Sequence, residues 1–285
     1  GSGVFNQDIS NWKTGKVKSM ESMFQYQSVF NQNIGNWNTS NNKDIGFMFY
    51  GASEFNNGQT NNEGTAPLNW DVSKVTSMRF TFSKSKFNQP ISNWDVSKVI
   101  QIDDMFSDNI MFNQPIHYWN IGTVNSFNDM FTSATAMHTQ YKDEAGFDDT
   151  PTIAFFNKTA ITNDNVLTAV NAWISDSTTA TGTYGNISNW DTSAVTDMKN
   201  LFNGAQTFNE DIGNWDISNV TDMENMFGGA TAFNQPIGSW DVSSVTDMSY
   251  MFFNASVFDQ PIQYWNIGTV NSFNDMFTSA TAMHT

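Results

Sequence analysis

The sequence predicts a repeat solenoid built from coils of 25 residues, each with one short strand and one short helical turn. Nine of the ten tryptophans recur mostly at intervals of 25 residues, and each of the nine is followed twelve positions later by Phe. A large apolar residue also stands eight positions after each of these tryptophans. Because a single 25-residue coil cannot bury its own apolar face, successive coils are expected to stack.

The repeating tryptophans and phenylalanines are predicted to form the structural core. Their strict phase favours burial over the alternative that the Trp column is a platform for stacking sugar rings. The tryptophans are Trp12, Trp37, Trp70, Trp94, Trp119, Trp190, Trp215, Trp240 and Trp265. The phenylalanines are Phe24, Phe49, Phe82, Phe106, Phe131, Phe202, Phe227, Phe252 and Phe277.

The two halves of the repeat differ in the spacing of their apolar residues. The Met-x-x-Met-Phe stretch, as at Met223, Met226 and Phe227, has the i, i+3, i+4 spacing that predicts a short helical turn. The Phe-Asn-x-x-Ile stretch, as from Phe233 to Ile237, has the even spacing that predicts a short strand. The Asn or Asp that follows this Phe is expected to satisfy the turning backbone inside its own coil.

Interruptions of the repeat divide the chain into three predicted parts. A first array of five coils covers 1–139 and contains an insertion loop at 56–69. A linker and N-terminal capping segment covers 140–189, and a second array of four coils covers 190–285. The predicted architecture is therefore two stacked arrays with a helical cap between them.

The capping segment contains one predicted helix, at about 163–176. Val166, Val170 and Trp173 fall on one face of it, which is typical of an amphipathic helix. Outside this segment, residues 118–139 recur without change at 264–285, which indicates duplication of a whole module. The chain is therefore expected to be an excerpt of a longer tandem array.

The charge balance argues against polyanionic partners. The chain has 28 Asp and Glu against 12 Lys and Arg, a formal net charge of −16, which opposes binding to nucleic acid or anionic lipid. The absence of Cys excludes disulfides, thiol nucleophiles and Cys metal sites. No apolar run approaches the ~18 residues of a membrane span, so none is predicted in this segment.

An enzyme and a cofactor are not expected from these residues. The three histidines are His117, His138 and His284, and the last two occupy one duplicated position, so a general base with a partner is missing. No G-x-S-x-G or H-E-x-x-H motif occurs. The sequence therefore predicts neither catalytic nor cofactor-binding residues.

Calcium binding is the alternative that the acidic residues leave open. Asp follows several of the repeating tryptophans, as at Asp71 and Asp216, but Asn replaces it at Asn38 and Asn120, which favours a structural Asx-turn. The acidic cluster near the junction of the arrays is a better calcium candidate, although a solvated linker is the favoured interpretation. Its members are Asp143, Glu144, Asp148 and Asp149.

The strings FNQPISNWDVSKV, DISNVTDMENMF and PIGSWDVSSVTDMSYMF resemble the BspA-type leucine-rich-repeat surface proteins, in their 25-residue W-D-V-S-x-V-T-x-M-x-x-M-F branch. The resemblance implies a leucine-rich-repeat-like fold, an extracellular or cell-surface location, and adhesion or protein interaction without enzymatic activity. The expected partners are a protein or surface ligand, or further copies of the chain joined end to end as a fibre. A calcium- or glycan-binding module is the alternative function.

Overall fold

A computed structural model of the chain describes residues 3–60 and 65–282. The chain divides into two compact units, unit 1 over residues 1–158 and unit 2 over residues 159–285. Each unit has its own hydrophobic core. Residues 140–158 of the predicted linker and capping segment belong to unit 1, and residues 159–189 belong to unit 2.

Helices are few and short. Unit 1 contains α1 (Thr135–Tyr141), and unit 2 contains α2 (Val166–Ser175) and α3 (Ser177–Tyr184). Three-residue 3-10 helices occur at Ile116–Tyr118, Ile153–Phe155 and Ile187–Asn189. Over the described ranges, no helix has the length and apolar character needed to cross a bilayer.

The predicted helix at about 163–176 corresponds to α2, which begins a few residues later than expected. The side chain of Asn165, directly before α2, is held by the preceding loop: it accepts a hydrogen bond from Thr162 N (2.8 Å) and donates one to Ala160 O (2.9 Å). α3 follows at once because Asp176 caps its N-terminus, accepting from the backbone N–H groups of Thr178 and Thr179.

The predicted leucine-rich-repeat-like fold, with a strand and a helical turn in each coil, is wrong. The described residues form no strand and no sheet, and the β-bridges between their coils are isolated parallel ones, such as Asp197 with Asp222 and Asp222 with Asp247. The helical turns are also absent from the Met-x-x-Met-Phe stretches, where the chain forms successive hydrogen-bonded turns. Two local features of the coils account for these differences.

The first feature is a column of asparagines in the stretch predicted as a strand. Here the Asn side chain of one coil accepts from the backbone N–H of the next coil, as from Asn31 N to Asn6 Oδ1 (2.9 Å) and from Asn234 N to Asn209 Oδ1 (2.9 Å). Side chains of this kind compete with backbone ladders. The Asn residues therefore join neighbouring coils, and the expectation that they act inside their own coil is wrong.

The second feature is left-handed backbone in the stretch predicted as a helical turn. It occurs twice in a coil, as at Asn200 (φ +58°) and Gly204 (φ +74°), and a right-handed helix cannot continue through such residues. Instead, every second N–H donates to the next coil, as from Asn200 to Glu224 O (2.9 Å) and from Phe202 to Met226 O (2.8 Å). The intervening N–H groups close turns within the coil.

The aromatic columns form the core of each unit. Within one coil Phe227 stacks on Phe233 with ring centroids 4.0 Å apart, and between coils it stacks on Phe202 (5.4 Å) and Phe252 (5.6 Å). Each Trp of the repeat in unit 1 after Trp12 donates its indole N–H to a carbonyl of the coil before it, as from Trp37 Nε1 to Ile9 O (3.1 Å). In unit 2, Trp240 Nε1 donates to Ile212 O (3.3 Å) in the same way.

The residues predicted as core are buried with two exceptions. Trp12 is 52% exposed and Phe277 is 39% exposed. Each lies in an outermost described coil of its unit, so a neighbouring coil covers it on one side only, as when Trp12 stacks on Trp37 at 6.2 Å. The expectation of burial is wrong for these two positions.

The insertion at 56–69 is anchored to the coils at both ends. Asn57 accepts from Ile34 N (2.8 Å) and donates to Ala66 O (2.7 Å) through its buried side chain. Leu68 is fully buried, and its carbonyl accepts from Trp94 Nε1 (2.9 Å), as an Ile carbonyl does in most other coils. Residues 61–64 of the predicted loop lie outside the described residues.

Candidate interaction surface

The turn stretches carry a row of exposed and half-buried side chains along unit 1, and in three neighbouring coils this row is aromatic and basic. We name its residues the aromatic–basic patch. The patch consists of Tyr26, Phe47, Tyr50, Arg79, Phe80 and Lys84. Most other coils place Asn, Asp, Ser or Gly at the corresponding left-handed positions. The composition of the row is therefore a local property of unit 1.

The backbone of the patch is strained. Tyr26, Phe47, Phe80 and Lys84 all have φ between +56° and +58°, a conformation that is uncommon for bulky side chains and costs about 1–2 kcal/mol per residue. Gly51 completes the arrangement, since a Cβ there would lie 2.7 Å from the Tyr26 ring. The turn geometry thus holds these side chains at the surface at an energetic cost.

The aromatic rings of the patch contact one another. Phe47 and Phe80 stack with centroids 4.7 Å apart, and Tyr50 meets the Phe80 ring edge-on at 5.6 Å. Tyr26 meets the Tyr50 ring edge-on at 5.1 Å and is itself 53% exposed. The result is a continuous aromatic surface across three coils.

Two cations lie on this surface. The Arg79 guanidinium lies 6.0 Å from the Phe47 centroid and 5.9 Å from that of Phe80, and Lys84 Nζ lies 5.5 Å from the Tyr50 centroid. A side-chain hydrogen bond with Tyr50 raises the pKa of Lys84 above its ordinary value, at which the amine is already charged at neutral pH.

Acidic side chains of the next coil border the patch. Asp103 Oδ2 lies 3.9 Å from Arg79 Nε, which is too long for a hydrogen bond, and Asp108 Oδ2 lies 3.8 Å from Lys84 Nζ. Arg79 Nε is buried and has no hydrogen-bond partner among the residues that the structure describes. Burial is the main cause of a raised pKa at the neighbouring Asp104, followed by repulsion from Asp129.

Basic residues are distributed unevenly between the units. Unit 1 contains the single Arg and ten of the eleven Lys, against fifteen Asp and Glu, for a formal net charge of −4. Unit 2 contains thirteen Asp and Glu against Lys199 alone, for a net charge of −12. Lys199 is paired with Glu224. The aromatic–basic patch therefore lies in the part of the chain that is least repelled by a negative partner.

The Asp residues that follow the tryptophans form Asx-turns, as predicted. Asp71 Oδ1 accepts from Ser73 N (3.0 Å), Asp241 Oδ1 accepts from Ser243 N (3.0 Å), and Asn266 does the same less closely for Gly268 N (3.3 Å). The Ser side-chain hydrogen bonds, followed by those from the Ser backbone, lower the pKa of Asp71 and Asp241. These carboxylates therefore stabilise the turns that follow the tryptophans.

The calcium candidates do not converge on one point. Asp143 is exposed and Glu144 is buried, while Asp148 accepts from Asp149 N (2.8 Å) and Asp149 contacts His138 Nε2 (2.9 Å). Within residues 3–60 and 65–282, no group of three or more His, Cys, Asp or Glu is placed to hold a metal ion. The cluster is thus divided among separate contacts.

The two described histidines have different surroundings, and His284 lies outside the described residues. His138 is half-exposed and contacts both Asp149 and the Phe131 carbonyl. His117 is fully buried, and neither ring nitrogen has a hydrogen-bond partner in the described part of the chain. Burial, with a smaller contribution from Lys158, lowers the pKa of His117 to about 3.

Unit 1 is expected to lose stability as the pH falls from 6.5 towards 3. In that range His117 takes up a proton in the unfolded chain but not in the folded chain. The free energy of unfolding therefore falls by up to about 1.4 kcal/mol for each pH unit. The equivalent position in the duplicate coil is Gln263, so His117→Gln is a natural replacement. It should reduce the loss of unfolding free energy between pH 7 and pH 5 by about 2 kcal/mol. Urea unfolding at both pH values checks this, and parallel pH profiles for the two proteins would contradict it.

Sequence comparison places the chain in a family. A model described as "Mycoplasma protein of unknown function, DUF285" matches residues 1–67, 58–169 and 168–285. No curated protein and no solved structure matches the chain significantly. The three matches together span the chain, and they agree with the tandem repetition seen in its coils. The chain belongs to the DUF285 family of Mycoplasma proteins of unknown function.

Proposed function

We propose that this tandem-repeat chain is a non-enzymatic protein of the cell surface or extracellular space that acts in adhesion through protein interaction. The observation that carries the proposal is the aromatic–basic patch of unit 1. The resemblance of the repeat strings to BspA-type surface proteins supports the location and the general role. The patch supplies the surface through which that role would be exercised.

The energetics of the patch favour a binding role. Its bulky side chains occupy left-handed backbone, where Asn200 and Asn225 serve the same turn in unit 2. Tyr26 remains 53% exposed, so burial within the unit offsets little of its backbone strain. Tyr, Phe and Arg are also the residue types that are enriched in protein interfaces, where they contribute most of the binding energy.

The charges of the patch indicate the chemistry of its partner. Arg79 presents a guanidinium on a side chain that is 40% exposed, and Lys84 presents an amine on a side chain that is 51% exposed. A protein partner that brings carboxylates and an apolar or aromatic side chain would satisfy both groups while covering the rings. The remainder of the acidic surface would repel such a partner and confine it to the patch.

The Trp column does not support the alternative of glycan stacking. Trp37, Trp94 and Trp240 are buried, and their indole N–H groups are bonded to the preceding coil. A sugar ring would have no access to these faces. Trp12, in the outermost described coil, is the exposed member of the Trp column in unit 1. The experiment below measures the contribution of the patch rings directly.

Beads coated with the chain are expected to adhere to an epithelial cell monolayer, and Phe47→Asn combined with Phe80→Asn should reduce adherent beads at least tenfold. Asn stands naturally at this left-handed position in other coils, so the fold should be retained. Tyr250→Asn is the matched control, because Tyr250 occupies the same position in unit 2 without a neighbouring cation. Wild-type adhesion by the double variant, with loss in the control, would overturn the proposal.

A further inference from the structure

Two tyrosines of neighbouring coils in unit 1 lie with their rings in contact. The ring centroids of Tyr26 and Tyr50 are 5.1 Å apart, and the rings meet edge-on with an angle of 66° between their planes. The backbone joins the same two residues, since Tyr26 N donates to Tyr50 O (2.8 Å). Among the described residues, no other pair of tyrosines makes a ring contact. The stacking of the coils therefore brings two phenol side chains together at this place.

The phenol groups of the pair meet through their hydroxyls. A hydrogen bond between the two side chains is the main cause of a raised pKa at Tyr26, followed by burial. The hydroxyl is the polar atom of a tyrosine side chain, so this bond joins the two hydroxyls. In each ring the ortho carbons are bonded to the carbon that carries the hydroxyl. The contact between hydroxyls therefore brings ortho carbons of the two rings close together, and these are the carbons at which phenoxyl radicals couple.

Two neighbouring residues hold the pair in this arrangement. Gly51 has φ +70°, and a Cβ there would lie 2.7 Å from Tyr26 Cδ1, so the Tyr26 ring can take its place only against a glycine. On the other ring, Lys84 Nζ lies 5.5 Å from the Tyr50 centroid and shares a hydrogen bond with the Tyr50 hydroxyl. The two phenols are thus positioned next to each other before any reaction takes place.

The pair is accessible to an oxidant through one of its rings. Tyr26 is 53% exposed, whereas Tyr50 is half-buried beneath it. Tyr264 is more exposed, at 86%, but among the described residues its ring contacts no other aromatic ring. Oxidation of an isolated tyrosine can cross-link only to a second chain. Tyr26 combines access to an oxidant with a second phenol in contact, and this combination favours reaction within one chain.

We propose that Tyr26 and Tyr50 form an oxidative modification site, at which a peroxidase acting with hydrogen peroxide produces an intramolecular dityrosine. Each phenol loses one electron and its hydroxyl proton, which gives two phenoxyl radicals. The radicals couple through a new carbon–carbon bond between their ortho carbons, and the hydrogens displaced from these carbons return to the two oxygens. One molecule of hydrogen peroxide takes up the two electrons and two protons and becomes two molecules of water.

The cross-link has a structural consequence for unit 1. It joins two successive coils that a backbone hydrogen bond already connects, and it restricts the unfolded chain as a disulfide does. The thermal midpoint of unit 1 should therefore rise after the reaction. The inference does not rest on the proposed adhesion, because it concerns a bond within unit 1 and not the binding of a partner.

Peroxidase with a limiting amount of hydrogen peroxide, applied to the intact chain at low concentration, tests this site. Dityrosine fluorescence should appear in the monomer. Mass spectrometry of a digest should find two peptides joined at Tyr26 and Tyr50, lighter by two hydrogens than their sum. Tyr26→Phe and Tyr50→Phe should each lower the monomer fluorescence at least tenfold, and because Phe keeps both rings the fold should be retained. Tyr264→Phe is the matched control and should leave the monomer fluorescence unchanged.

Gly51→Ala tests the geometry while both phenols remain. The added Cβ should displace the Tyr26 ring and lower the yield of dityrosine several-fold. Three results would overturn the inference. They are an equal yield of monomer dityrosine in Tyr26→Phe, a cross-link that maps to other tyrosines, and dityrosine found only in dimers of the chain.

Discussion

Phe227→Ala is expected to lower the free energy of unfolding of unit 2 by about 4 kcal/mol. The Phe227 side chain is fully buried and contacts rings on three sides, namely Phe202, Phe233 and Phe252. Its removal leaves a cavity between coils that cannot close without shifting both neighbours. Native-state hydrogen exchange of unit 2 amides measures the loss without a contribution from unit 1.

Phe277→Ala is the matched control for this substitution. Phe277 occupies the same position of the repeat, but it is 39% exposed, and among the described residues it stacks on Phe252 alone, at 5.7 Å. Its removal should cost only about 1 kcal/mol, because less apolar surface returns to water and no enclosed cavity forms. Equal losses at Phe227 and Phe277 would contradict the account of the core.

Asn88→Ala is expected to lower the stability of unit 1 by about 2–3 kcal/mol. The Asn88 side chain is buried and joins two coils: Oδ1 accepts from Asn113 N (2.9 Å) and Gln114 Nε2 (3.0 Å), and Nδ2 donates to Asn113 Oδ1 (3.0 Å). Ala leaves the Asn113 N–H without its acceptor in a partly buried site. Denaturant unfolding followed by amide exchange in unit 1 measures the effect.

Two further variants separate the hydrogen bonds from general packing. Asn88→Asp keeps the acceptor and should recover part of the lost stability, since Asp259 occupies this column naturally. Asn209→Ala removes the same bond to Asn234 N at an exposed site, where water can replace it, and should cost less than 1 kcal/mol. A loss at Asn209 as large as that at Asn88 would show that burial does not set the strength of this column.

The sequence pattern predicts the repeat and its core better than the backbone of each coil. The strict phase of residues such as Trp215 and Phe227 indicates burial, and both are buried. The strand and the helical turn could not be judged from apolar spacing alone, because that spacing does not reveal which groups bond between coils. The left-handed backbone of Phe47 and Tyr250 is imposed by those bonds against the preference of the residues.

The aromatic–basic patch was missed for a different reason. Tyr26, Phe47 and Phe80 are far apart in the sequence, and they meet only because the coils lie side by side. A comparison of equivalent positions would have given a signal, since Phe replaces Asn or Asp at the same place in two adjacent coils. The repeated acidic residues suggested a calcium site more strongly than the sequence suggested this patch. Most of the Asp residues after Trp, however, form Asx-turns.

Disulfide formation between neighbouring coils tests the register of the stack most directly. The chain has no Cys of its own, and Thr246 N donates to Thr221 O (2.8 Å), so these exposed residues are close enough to be bridged. Thr221→Cys with Thr246→Cys should cross-link under mild oxidation, whereas Thr221→Cys with Ser243→Cys, three positions out of register, should remain reduced. Faster cross-linking of the second pair would contradict the in-register stacking of the coils.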